Sequence, residues 1–165
     1  MSELDRKGKR VSESRVTLNA LMGPQDTNGH GNVHGGVIMK MVDETAALTA
    51  MRHSRRPVVT VVMDSMTFME PIRVGMLVEC RAELTYVGRT SMEVRVRVTA
   101  ENPLAGTSEV TNTAYLVFVA LDENGRPVRV PELILETDEE RAQAERAKAR
   151  QEFRKQQRVQ DRQGQ

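Results

Sequence analysis

At Pro57 the hydrophobic period of this chain changes from the 3.6 of a helix to the 2 of a strand, which limits what it can fold into. Before that point, VIMKMVDETAALTAMRH carries Val37, Met41, Thr45 and Leu48 at helical spacing, with Ile38, Val42 and Thr49 beside them. The stripe is wide, so the spacing predicts a mostly buried helix ending at Ser54 to Pro57. After it, Val58 to Met69 is apolar on both faces, as a central strand is, and Pro71 and Gly75 mark the turn out. Met76 to Tyr86 alternates, with Met76, Val78, Cys80, Ala82, Leu84 and Tyr86 against Glu79, Arg81 and Glu83. Met92 to Ala100 alternates again, with Met92, Val94, Val96 and Val98 inward and Glu93, Arg95 and Arg97 facing water. A hairpin-length link, Val87 to Thr90, joins the two. Val110 to Leu121 makes another central strand, and Asn124-Gly125 turns the chain toward Val128 to Val130. A short strand over Arg15 to Met22, ended by Gly23-Pro24, precedes the helix.

One helix ahead of a long antiparallel meander has one natural packing: the twisted sheet wraps around the helix and buries it. The fold class is therefore α+β, a long antiparallel sheet around one central helix. Sheet edges and leftover apolar surface argue for self-association. Residues 1–12 are polar and read as a disordered lead-in, and 13–136 form the domain. From 137 to 165 good helix formers with mixed charges and few large apolar residues read as a solvated helical tail fraying into disorder.

Composition narrows the function classes. A net charge of +1 gives no electrostatic case for nucleic acid or an anionic membrane surface. No apolar run approaches the ~20 residues of a membrane helix, and the charged start MSELDRKGKR has no signal-like apolar core. Cys80 is the one cysteine, which fits a reducing, cytoplasmic setting. Aromatics are 3% of the chain, so the core is built from aliphatic residues and ten Met.

The chemistry concentrates in Asp26 to Asp43, DTNGHGNVHGGVIMKMVD. Gly29, Gly31, Gly35 and Gly36 let backbone approach a ligand closely. Gly35 and Gly36 open the buried helix, where unpaired N–H groups and the positive dipole end can polarise an oxygen. Asn28 and His34 add hydrogen-bonding side chains beside that end, and Asp43 stands two turns into a helix whose other residues are mostly apolar. Asp43 reads either as a solvated helix position or as a pocket-facing general base or nucleophile. Glu44 has a bland explanation in Lys40 four residues earlier. His30 and His53 read as surface residues, and Cys80 as core. The three His and one Cys show no metal-ligand spacing.

The run DTNGHGNVHGGVIMKMVDE resembles the signature of the hotdog-fold acyl-CoA thioesterases, the branch with bacterial short-chain enzymes and the vertebrate cytosolic acyl-CoA hydrolase. RPVVTVVMDSMTFMEPIRVGMLVE, YVGRTSMEVRV and TNTAYLVFVALDENGRPVRVP are also similar to that family, so the resemblance covers residues 13 to 135. It implies a hotdog fold, and Asp43 as the catalytic carboxylate with Asn28 as the second catalytic position. The two are implied to act across a dimer interface, Asn28 of one subunit facing Asp43 of the other. His34, Gly35 and Gly36 resemble the loop that binds the thioester carbonyl, through the Gly36 N–H. Gly88, Arg89, Thr90 and Ser91 resemble the hairpin that holds the CoA nucleotide, with Arg55, Arg56 and Thr60 as further candidates for that task. No cofactor is implied, since CoA is part of substrate and product. The partners implied are acyl-CoA and further copies of the chain, as a homodimer and a hexamer built as a trimer of dimers. Two alternatives stand beside this reading. An acyl-thioester dehydratase would need a His base, for which His34 is the candidate, and a non-enzymatic acyl-CoA-sensing module would use the charged tail for a partner.

Overall fold

The computed structural model describes residues 7–64 and 66–163, so the expectation for residues 1–6 lies outside the described residues. The chain runs β1 (Lys9–Arg10), α1 (Val11–Ser14), β2 (Val16–Leu21), α2 (Gly35–Ser54), β3 (Val58–Met63), β4 (Leu77–Val87), β5 (Ser91–Asn102), β6 (Thr107–Ala120), β7 (Leu133–Ile134) and α3 (Asp138–Gln163). The main sheet is antiparallel in the order β2-β4-β5-β6-β3, with β2 and β3 at its edges. Register shifts at Thr60/Val62, Leu84/Tyr86 and Val98/Thr99 add local twist, and the sheet curls around α2. The hotdog architecture read from the sequence is the one found.

The buried stripe of α2 is Ile38, Met41, Val42, Thr45, Ala46, Thr49, Ala50 and His53. It meets Val78, Cys80, Ala82 and Leu84 of β4, Val94, Val96 and Val98 of β5, and Ala114, Leu116 and Phe118 of β6. Its second half uses small residues, which lets the helix sit close to the sheet. Thr45, Thr49 and Ser54 donate their hydroxyls to the carbonyls of Met41, Thr45 and Ala50, at 2.6, 3.1 and 2.8 Å, so no buried hydroxyl goes unpaired there. Leu48, read as part of the apolar stripe, is exposed. The helix ends at Arg55, whose left-handed backbone (φ 54) closes the last turn two residues before Pro57.

Further expectations need correction. Residues 9–12 are not a disordered lead-in: β1 pairs parallel with β7, and Val11 of α1 is buried. β3 stops at Met63 instead of reaching Met69, and residues 128–130 form no strand, though an isolated bridge joins Leu121 and Pro127. His53 is fully buried and not a surface residue. It accepts from or donates to Ser14 Oγ at 3.2 Å and reaches the Pro131 carbonyl through Nε2 at 2.8 Å. Glu93 is buried, 3% exposed, because α3 covers the outer sheet face around it. The helix expected in the tail is found as α3, but it is packed on the sheet through Ala144 and Ala147 and not solvated all round.

What docks α3 is charge more than apolar area. Arg150 and Arg154 both reach Glu93 at 2.7 Å, Thr85 donates its hydroxyl to Glu93 at 2.7 Å, and Arg154 pairs with Asp64 at 2.6 Å. The Arg150 guanidinium also stacks over Tyr115, 3.7 Å from the ring centroid. A carboxylate alone in that place would be costly, and three partners compensate its desolvation. Among the described residues no helix is long and apolar enough to cross a membrane.

Burial pushes the His53 pKa below its ordinary value, against the raising effect of the Pro131 hydrogen bond. The folded protein therefore keeps His53 neutral where the unfolded chain protonates it. Stability from this group is complete above the unfolded pKa of about 6.5 and falls as pH drops through it. Thermal melts from pH 8 to 5 are expected to show that loss, and a His53→Gln chain, less stable throughout, is expected to lack this component of the slope.

Candidate active site

Between β2 and α2 the chain makes a small hairpin bridged at Thr27 and Val33, with Asn28 N–H donating to the Asn32 carbonyl at 2.7 Å. Of the four glycines in this stretch only Gly31 takes a positive φ, 78°, at the hairpin tip. Asn28 Oδ1 accepts the His30 N–H at 2.9 Å, an Asx turn that fixes the side chain and leaves its amide N–H₂ as a donor. Asp26 is structural: its Oδ2 accepts the Gly23 N–H at 2.8 Å, and its carbonyl takes the His34 N–H at 2.7 Å. Val33 N–H donates to the Ile72 carbonyl at 2.7 Å, which ties this hairpin to the loop after β3.

His34 is the N-cap of α2, with its Nδ1 accepting the Gly36 N–H at 3.0 Å. This is an unforeseen feature, because the N–H expected to polarise a carbonyl is held by the cap in this chain. The Gly35 N–H has no hydrogen-bond partner among the described residues. The Phe68 ring lies beside it, 3.5 Å from where a Gly35 Cβ would stand. The helix therefore opens with one free donor, a second held by a replaceable imidazole, and an aromatic wall.

Asp43 is half-buried on the α2 face turned to β3, and Thr60 donates its hydroxyl to Asp43 Oδ1 at 2.8 Å. Thr60, a sequence candidate for the nucleotide, is thus placed against the carboxylate. Oδ2 has no hydrogen-bond partner among the described residues. Eight residues separate Gly35 from Asp43, about 12 Å along the helix. One carbonyl cannot touch both ends of that span.

The Gly88–Ser91 hairpin lies at the other end of α2. The Ala120 N–H donates to the Thr90 carbonyl at 3.1 Å and the Leu121 N–H to the Pro57 carbonyl at 2.9 Å, so the hairpin neighbours the C-terminal end of the helix. A Cβ at Gly88 would stand 2.9 Å from Ser91 Oγ, so a larger residue there would have to push the Ser91 hydroxyl aside. Through the pairing Thr60–Phe118–Met92 the hairpin is two strand spacings from Thr60, about 10 Å. Arg55 and Arg56 close the same end of α2. Within one chain Asp43 and Thr60 thus stand mid-helix, about 12 Å from the end that carries Asn28, His34, Gly35 and Gly36, with the hairpin beyond them toward the C-terminal end.

Cys80 is no rival nucleophile: burial pushes its thiol up to about 12. Among the described residues no group of three or more His, Cys, Asp or Glu side chains is placed to hold a metal ion. Sequence reading missed the roles of Phe68 and of Thr60 at the carboxylate. Its one usable signal for Thr60 was a hydroxyl interrupting the apolar run VVTVVM.

Residues 30–107 match the family model described as the Thioesterase superfamily. An uncharacterized acyl-CoA thioester hydrolase of Bacillus subtilis is 44% identical over 78% of this chain and 74% of its own length. The cytosolic acyl coenzyme A thioester hydrolase of Rattus norvegicus is 37% identical over 85% of this chain, which spans 37% of that longer protein. A hexameric acyl-CoA thioesterase solved without ligand superposes with a TM-score of 0.88 at 42% identity, over 92% of this chain and 97% of that one. The acyl-CoA hydrolase of Staphylococcus aureus, in complex with butyryl coenzyme A, coenzyme A and coenzyme A disulfide, gives 0.86 at 39% identity over 94% of each chain. That hydrolase has also been solved as Asp43→Ala, Asn28→Ala and Thr60→Ala mutants.

The cap geometry predicts opposite outcomes for neighbouring substitutions. His34→Ala removes the cap and is expected to lower stability by about 0.5–1 kcal/mol in urea denaturation. Gly35→Ala, whose Cβ meets Phe68 at ordinary contact distance, is expected to cost nothing measurable.

Proposed function

The chain belongs to the acyl-CoA thioester hydrolases of the thioesterase superfamily, and from that membership we propose how it hydrolyses fatty acyl-CoA to free acid and CoA. The observation that carries the proposal is the 12 Å split between the donor end of α2 and the Asp43–Thr60 pair. A two-fold partner supplies the missing half to each, so Asp43 of one subunit meets Asn28, Gly35 and Gly36 of the partner subunit. Exposed Val59 and Val61 on the edge strand β3 and Met39 on α2 offer apolar surface for that contact. The Staphylococcus aureus mutants fall on residue types and numbers that this chain shares: Asp43, Asn28 and Thr60.

The thioester oxygen takes the Gly35 N–H and displaces the His34 imidazole from the Gly36 N–H, so two donors and the helix dipole face the developing oxyanion. Thr60 holds Asp43 by Oδ1, which leaves Oδ2 to receive a proton from water. The water oxygen bonds the acyl carbon, the C–S bond breaks, and the thiolate leaves, taking up the proton. Attack by Oδ2 itself, giving an anhydride that water opens, uses the same geometry. The Asn28 amide orients the water or the substrate. Gly88, Arg89, Thr90 and Ser91 take the nucleotide, for which a guanidinium beside hydroxyls suits phosphate oxygens. The hexamer of the solved relative and the cytosolic setting of the rat relative are proposed for this chain as well.

The test is release of free thiol from acetyl-, butyryl- and palmitoyl-CoA. Turnover on at least one is expected, with Asp43→Ala lowering kcat by about a hundredfold or more. Binding of all three without thiol release would remove the hydrolase reading. Full activity in Asp43→Ala would move the carboxylate role elsewhere.

A further inference from the structure

A cavity of about 1080 Å³ lies outside the sheet, between the β4–β5 hairpin, the segment leading into β7, and α3. Its volume is ample for a nucleotide-sized ligand. Val87 of the hairpin, Val130, Leu133 and Ala144 give it an apolar floor beside the Tyr86 ring. Four cationic side chains line it: Arg89, Arg129, Arg141 and Lys148.

Two of these are already neutralised within α3, since Arg141 pairs with Asp138 and Lys148 with Glu145, each at 2.7 Å. Arg89 and Arg129 are different. Among the described residues neither side chain is in an ion pair or a hydrogen bond. Backbone holds the two segments together: the Val130 N–H donates to the Arg89 carbonyl at 3.1 Å. Glu132 is the remaining carboxylate of the lining, so the balance at this end of the cavity is cationic. An apolar floor beside an aromatic ring, with two guanidiniums lacking counter-ions, fits a phosphorylated nucleoside: base on the floor, phosphate on the guanidiniums.

We propose that Arg129 is a second phosphate-binding residue of this chain, paired with Arg89 across the Val130–Arg89 backbone hydrogen bond, and that the cavity floor up to α3 holds the base of the CoA nucleotide. The proposal rests on the acyl-CoA reading above. It makes α3 and the segment before it part of the substrate site, where they otherwise cover only the back of the sheet.

The experiment compares wild type, Arg129→Ala and Arg126→Ala on butyryl-CoA and on the butyryl thioester of pantetheine, which lacks phosphate and nucleoside. Arg126 lies on the exposed turn outside the cavity and controls for loss of one positive charge. Arg129→Ala is expected to raise KM for butyryl-CoA on the order of tenfold with kcat little changed. KM for the pantetheine thioester is expected to stay constant in both variants, and Arg126→Ala to behave as wild type throughout. An unchanged KM for butyryl-CoA in Arg129→Ala overturns the proposal. An equal rise in Arg126→Ala does so as well, since that would be general steering. Equal loss on the pantetheine thioester would also overturn it. Should Arg129→Ala melt lower than wild type, Arg129→Gln takes its place. If wild type cleaves neither thioester, the hydrolase reading has failed on its own. Calorimetric affinity for CoA, wild type against Arg129→Ala, then decides this proposal.

Discussion

The seating of α2 in the curled sheet is the constraint from which the rest of the molecule follows. The helix has 20 residues, and from Thr45 onward its buried stripe narrows to Ala, Thr and His, which brings helix and sheet backbones close. Val and Leu on the facing strands fill the space that small helix residues leave. The two helix ends are then treated differently. At the C-terminal end the Lys9 ammonium reaches the His53 carbonyl at 2.6 Å, and the His53 ring is fixed between Ser14 and Pro131. A cation at that end suits the dipole. Among the described residues the N-terminal end is met by the His34 cap and the Phe68 ring, with the Gly35 N–H unpartnered.

The outer face of the sheet is organised around Glu93. With Arg150 and Arg154 as partners it anchors α3, and Arg154 carries the connection on to Asp64, at the start of the loop that bears Phe68. The same helix therefore borders the back of the sheet, the loop beside the α2 N-terminus, and the cavity next to the Gly88–Ser91 hairpin. Glu83 extends the pattern on β4. Burial raises its pKa, but Arg95 and Arg15 overcome that and hold it below the ordinary value.

The core architecture was legible because it depends on period. Alternation in β4 and β5 marks Val78, Cys80, Ala82, Val94, Val96 and Val98 as inward, and the break at Pro57 separates helix from sheet. Glu93 was misread for the same reason: alternation assigns a face, and only tertiary contact decides whether water or another element covers it. The helix α3 was legible from its helix formers, but its docking was not, because it packs through Ala144, Ala147 and two arginines, none of which makes an apolar stripe. Likewise, β1 and β7 are two residues each, too short for any period. At the site, the motif pointed to Asp43 and Asn28 as candidates, while the pairing of Thr60 with Asp43 and the capture of the Gly36 N–H by His34 depend on side-chain geometry.

The central claim is that each active centre is made by two chains. Asn28→Ala and Asp43→Ala proteins, purified separately and then mixed under conditions where subunits exchange, test it most directly. The account predicts two nearly inactive parents and a mixture that recovers about a quarter of wild-type activity, since half of the dimers are mixed and each holds one intact centre of two. A mixture that stays as inactive as its parents, with subunit exchange verified by mass spectrometry, would place the whole centre within one chain and contradict the account.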